Sequence, residues 1–200
     1  MTDNSANNKR IAINTILLYI RMLFTMVISL YTSRVILQVL GADDFGIYNV
    51  VGGVVVLFSF LTNAMTSSTQ RFLNYNFGLK NESKVSHIFN VSILTHFTIF
   101  LLVLLLSETV GLWFVMTQLN IPVGRETATM WVYQMSVVTT LIGIMVIPYR
   151  ASIIAAERMS IFAYVSILEV ALKLVVVLVL SYMSFDNLVM YSILLTLSLI

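Results

Sequence analysis

The sequence has no cysteine, two prolines, two histidines and only 10% charged residues over 200 positions. Without cysteine there is no disulfide and no thiolate-ligated metal, and the redox compartment stays open. His87 and His96 stand apart and offer no metal-ligand cluster. A net charge of +2 is too small to point to nucleic acid, and no glycine-rich phosphate loop appears. Soluble domains carry about 25% charged residues, so this chain cannot cover a water-facing surface with polar groups. Strand-type alternation is also missing. What remains is apolar: 59% hydrophobic residues and a mean hydropathy of +0.96. The expected class is an all-α polytopic membrane bundle, not a soluble enzyme.

Residues 1–11 read as a polar leader ending in Lys9 and Arg10. The following apolar run is too long for a signal peptide and no small-residue cleavage site follows it, so it is expected to remain as a spanning helix. A span needs about 20 apolar residues, and six segments qualify at roughly 12–40, 45–76, 86–117, 126–149, 159–183 and 186–200. The last stops without a polar cap, so the sequence reads as the N-terminal part of a longer protein. Six helices would form one lobe.

Orientation follows from lysine and arginine. With the N-terminus cytoplasmic, the inner segments hold Lys9, Arg10, Arg71, Lys80, Lys84, Arg150 and Arg158, and the outer loops only Arg125. Asp43, Asp44, Glu126 and Asp186 then fall outside. Arg21, Arg34 and Lys173 are left inside apolar segments, where charge is expensive and faces a partner or water.

The first two segments meet at Arg34-Val-Ile-Leu-Gln-Val-Leu-Gly-Ala-Asp-Asp-Phe-Gly-Ile-Tyr48, where Gly41 and Gly46 bracket two aspartates. Glycine and aspartate are turn and cap chemistry, so a helical hairpin is expected. At 100° per residue, Asn14, Arg21, Thr25, Ser29 and Thr32 fall within about 80° on the first helix, with Arg34 on a different face beside Tyr31 and Gln38. On the second helix Asn49, Gly52, Ser59, Asn63, Ser67, Gln70 and Asn74 share about 80°. Such a stripe serves close helix packing or the wall of a hydrated cavity; both readings stand.

His96 reads as a packing or interhelical residue and Glu108 as an interfacial one. The fourth segment carries Gln134, Ser136, Thr139, Thr140 and Gly143. Pro148 is expected to bend or end it, and residues 151–159 to lie as a short interfacial helix. The fifth segment carries Glu169 and Lys173, an i,i+4 pair in the favourable order. Mutual pairing is expected, either as a structural ion pair or with Glu169 as an ion-coupling site and Lys173 as an anion contact.

The Arg34–Tyr48 hairpin, the polar second helix ending in Gln70-Arg71-Phe72, and the Ile147-Pro148-Tyr149-Arg150-Ala151 to Ala156-Glu157-Arg158 passage resemble the multidrug/oligosaccharidyl-lipid/polysaccharide exporter superfamily, in its polysaccharide-repeat flippase branch. The resemblance covers nearly the whole chain. It implies a two-lobed, MATE-like transporter in the cytoplasmic (inner) membrane that moves undecaprenyl-pyrophosphate-linked oligosaccharide by alternating access. The implied coupling ion is H+ or Na+ and no organic cofactor is implied. Implied partners are the lipid bilayer, the lipid-linked oligosaccharide and other polysaccharide-assembly membrane proteins.

On that resemblance Arg21, Arg34 and Lys173 are pyrophosphate candidates, Asn49, Asn63, Gln70 and Asn74 sugar candidates, and Glu169 the ion-coupling candidate. Arg34 has a second reading, as an anchor for the outer end of its helix. Alternatives are a multidrug extruder of the same superfamily, a membrane-embedded glycosyl transferase or polymerase, which would need a longer outer loop, and a noncatalytic scaffold.

Overall fold

A computed structural model describes the backbone of residues 2–57, 60–182 and 185–198, and side chains over 12–57, 65–182 and 185–198. The chain is 90% helix, with no strand among the described residues. The helices are α1 (Thr2–Val56), α2 (Phe60–Gly78), α3 (Glu82–Leu106), α4 (Leu112–Gln118), α5 (Glu126–Ala155), α6 (Met159–Leu180) and α7 (Asn187–Leu197), and a single π turn, Ser107–Gly111, joins α3 to α4.

α1 is two helical arms joined at Gly41, whose φ of 77° and ψ of 173° are not helical. The side-chain pairings give the direction of each arm. In the first arm Arg21 meets Ser166, and Val39 meets Asn187 just past the end of α6, so this arm runs parallel to α6. In the second arm Asp44 meets Arg125, while Gly52 lies beside Ser136, so this arm runs parallel to α5. Because α5 and α6 pair antiparallel, through Arg150 and Glu169, the two arms are antiparallel. The hairpin expected from the two glycines and two aspartates is present.

Gly41 alone supplies the turn's positive φ. A Cβ there meets open space, so Gly41→Ala carries only backbone strain and is expected to destabilise by roughly 1–3 kcal/mol. Gly46 is equally open but lies within the helical second arm, so Gly46→Ala is expected to stabilise by up to about 1 kcal/mol. Thermal unfolding in detergent measures both, and a shared sign would contradict this assignment of the turn.

Among the described residues four stretches are long and apolar enough to cross a membrane: Ala12–Val56, Glu82–Gln118, Glu126–Ala155 and Met159–Leu180. The expected 45–76 segment is divided between the second arm of α1 and α2, which is too polar to count among the four because it carries Gln70, Arg71, Asn74 and Asn76. α7 is apolar but only 11 residues long. Helix already begins at Thr2, within the segment expected to be a leader.

The fourth segment is also longer than expected. Pro148 sits buried inside α5, which continues to Ala155; of residues 151–159, expected to form a separate interfacial helix, 151–155 end α5, 156–158 make the turn and Met159 begins α6. Proline removes one N–H, but the buried Ala151 and Ala155 beyond it pack with Leu73 of α2 and hold the helix on course. Glu157, at φ 55°, then makes the tight turn into α6.

α5 is the axis of the core. Val132, Tyr133, Val137 and Ile144 are buried against Ile47, Val51 and Val55 of α1, Val103 of α3, and Leu188 and Tyr191 of α7. The fully buried Tyr133 donates its hydroxyl to the Ser107 carbonyl at 2.6 Å, and the Leu112 N–H reaches that same carbonyl through the π turn.

Candidate functional site

At the Gly41 end three connections are tied by one cation. Arg125 precedes α5, and its guanidinium pairs with Asp44 of the α1 turn and with Asp186, which it reaches at 2.6 Å. Asp186 also caps α7, accepting from the Leu188 and Val189 N–H groups. Partial burial works against the Arg125 charge, but hydrogen bonds to the two carboxylates and their negative charge outweigh it and raise the pKa above the ordinary arginine value. The guanidinium is therefore charged at any physiological pH.

Midway along α5 a cavity of about 270 Å³ opens between the second arm of α1, α5 and α7. Asn49 and Gly52 line it from α1, Ser136, Thr139 and Thr140 from α5, and Ser192 and Thr196 from α7. Its polar groups are neutral hydroxyls and an amide. Several are engaged: Thr139 and Thr196 share a hydrogen bond of 2.9 Å, and Asn49 donates to the Phe45 carbonyl at 2.7 Å. Asn49 and Gly52 of the second segment's stripe thus face Ser136, Thr139 and Thr140 of the fourth segment here. Donors and acceptors without a charge suit hydroxyl-bearing ligands such as sugars.

Toward the Ala155 end, a second cavity of about 300 Å³ lies between α5, α6 and the end of α7. Glu169 accepts from Lys173 at 2.9 Å and from Arg150 at 3.0 Å. The expected Glu169–Lys173 pair is therefore present, with a second cation added from α5. The sequence pattern alone puts Arg150 at the headgroups, because an interhelical partner depends on the α5–α6 register. The π turn's contact with Tyr133 was likewise unforeseen.

The other candidates are dispersed. Arg21 lies on α1 against α6, donating to Ser166 Oγ at 3.2 Å and stacking over the Phe162 ring at 4.6 Å, with its Nε buried and unpartnered. Phe162, Ser166, Glu169 and Lys173 fall within about 60° on α6, so Arg21 and Arg150 address one stripe of that helix. Arg34 and Asn74 are exposed and Gln70 half-buried; the Asn63 side chain lies outside the described residues. Next to Asn74, Asn76 is the buried amide, donating to the Phe72 carbonyl.

His96 is fully buried, with Nδ1 2.8 Å from the Ser92 carbonyl, and Ser92 Oγ lies 3.2 Å from Thr69 Oγ1. Ser92, not His96, makes the contact from α3 to α2; the histidine's own hydrogen bonds stay within α3, and its Nε2 is buried without a partner among the described residues. Glu108 accepts from Gln134 at 3.3 Å. No group of three or more metal-ligating side chains occurs among the described residues. Comparison with known proteins finds no matching family model, no matching curated protein and no matching solved structure.

Proposed function

We propose that this chain is one lobe of a membrane transporter that flips a pyrophosphate-linked oligosaccharide lipid for surface polysaccharide assembly. The observation that carries the reading is Arg34: a guanidinium inside an apolar segment, exposed, and without a hydrogen-bond or ion-pair partner among the described residues. A bare cation is expensive against hydrocarbon and is retained where it faces a hydrated cleft or an anionic ligand. Exposed Asn49 and Asn74 extend the same argument to neutral polar groups.

In this reading the six antiparallel runs cross the cytoplasmic membrane with the N-terminus inside, Arg125 and its two aspartates lie outside, and alternating access is driven by an ion gradient. α7 and the α1 second arm with α2 then supply the spans that length and composition alone do not identify. Basic side chains meet the pyrophosphate and amides meet the sugars.

Complementation tests this. The full-length gene that encodes this lobe is expressed in a cell lacking its own polysaccharide-repeat flippase, and surface polysaccharide is scored at matched membrane abundance for wild type, Arg21→Ala, Arg34→Ala and Lys173→Ala. Wild type is expected to restore polysaccharide and Arg34→Ala to lose about tenfold or more, as for removal of a charge-assisted phosphate contact. Equal restoration by every variant would make these cations structural. Cationic-drug resistance without polysaccharide would move the reading to a multidrug extruder.

A further inference from the structure

We propose that a cavity at the turn between α2 and α3 holds the head of phosphatidylethanolamine, with the phosphate on Lys80 and the ammonium on Glu82 and Asn76. The cavity, about 680 Å³, lies between the end of α2, the start of α3 and Ser152 of α5, within the usual size range of ligand sites. Asn76 lines it and is only 6% exposed. Its Nδ2 donates to the Phe72 carbonyl at 2.9 Å, while its Oδ1 accepts nothing among the described residues. A buried amide oxygen without a donor is costly, so a ligand that donates there is favoured. A water would supply that donor but would leave the two charges beside it unused. Lys80 and Glu82 also line the cavity, both exposed and neither in an ion pair among the described residues.

The backbone brings the three polar groups together. The Lys80 N–H reaches the Phe77 carbonyl at 3.0 Å and the Asn81 N–H reaches the Asn76 carbonyl at 3.1 Å, so Asn76 sits directly beside residues 80–82. This pair of bonds is a Schellman ending, whose left-handed position usually falls to glycine. Here it is Lys80, at φ 53°. The position suits a lipid head. Gly78 ends α2 and Glu82 begins α3, so the charges stand at the helix ends, whereas the apolar wall of Leu73 and Phe89 reaches about 10 Å along the helices toward mid-span. Charge then selects among lipids. Lys80 and Glu82 together are neutral and match a zwitterion. Phosphatidylglycerol would set its net negative charge beside Glu82, and the quaternary ammonium of phosphatidylcholine has no N–H to give Glu82 or Asn76. The primary ammonium of phosphatidylethanolamine has three. The site requires only that the chain lie in a bilayer, not that it be a flippase.

Native mass spectrometry of the full-length protein in detergent tests the site, with equal additions of phosphatidylethanolamine, phosphatidylglycerol and phosphatidylcholine of the same chain length. Wild type is expected to retain phosphatidylethanolamine about tenfold better than phosphatidylcholine, the gain from a hydrogen bond to a charged group. Lys80→Gly removes the cation and also relieves the left-handed backbone. It is therefore expected to retain phosphatidylethanolamine about tenfold less while unfolding no earlier than wild type, a combination that a purely structural lysine would not give. Should it unfold earlier, Lys80→Asn, which also accepts a positive φ, takes its place. Glu82→Gln is expected to bring phosphatidylethanolamine down to the level of phosphatidylglycerol. Equal retention of phosphatidylethanolamine by wild type and both variants, or no preference over phosphatidylcholine in wild type, would overturn the site. Phosphatidylglycerol retained best by wild type would overturn it equally, since Glu82 and Asn76 would then not be reading an ammonium.

Discussion

Arg125→Ala is expected to lower stability by about 2 kcal/mol, seen as a fall of roughly 5 °C in thermal unfolding. The variant removes the one cation that joins Asp44 and Asp186 and leaves two carboxylates facing each other. Breaking a fully buried pair costs about 3–5 kcal/mol, but here the three side chains are 28%, 17% and 38% exposed, so solvent screens part of the loss. Arg125→Lys keeps the charge without the fork and should recover about half. Asp44→Asn leaves the Asp186 pair and should cost about 1 kcal/mol. High salt should narrow the gap between wild type and Arg125→Ala, since exposed pairs are screened. A change below about 0.5 kcal/mol in Arg125→Ala would show that the three connections are held by the core alone.

This cluster shows what a membrane sequence does and does not reveal. Placing Arg125, Asp44 and Asp186 at one end needs only the alternation of apolar runs, because connections one, three and five must share a side. That the three side chains touch depends on the loop path, which no local pattern encodes. The Glu169–Lys173 pair was legible because i,i+4 geometry belongs to one helix. Arg150 was not, although a tight turn at Glu157 brings the end of α5 back along α6 and within reach of an arginine side chain.

Segment boundaries failed for physical reasons as well. The long polar stripe on the second segment was readable as one face, but it also made α2 too polar to stand as a span by composition. Pro148 is expected on local grounds to bend or end the helix; it does not end it, since α5 runs on to Ala155 with Ala151 and Ala155 buried against Leu73. Arg21 and Arg34 were correctly separated by their helical angle. One packs against α6 and the other stays exposed.

Gly111→Ala is expected to be the most damaging single methyl group added to this chain, at about 1–3 kcal/mol. Gly111 closes the π turn, and a Cβ on it would run into the Tyr133 hydroxyl and crowd the ring carbon that bears it. Tyr133 cannot step aside: it is fully buried, and its hydroxyl is held by the Ser107 carbonyl at 2.6 Å. The π turn and the tyrosine thus require each other. The inserted residue turns the Ser107 carbonyl toward α5, and the glycine leaves room for the ring that reaches it. Tyr133→Phe alone should cost about 1 kcal/mol for the lost hydrogen bond. In Gly111→Ala/Tyr133→Phe the clashing oxygen is gone, so the double variant should be less destabilised than the two single losses together, by about 1 kcal/mol. Additive losses in thermal unfolding would mean that Gly111 is needed for the backbone of the turn and not for the approach of Tyr133.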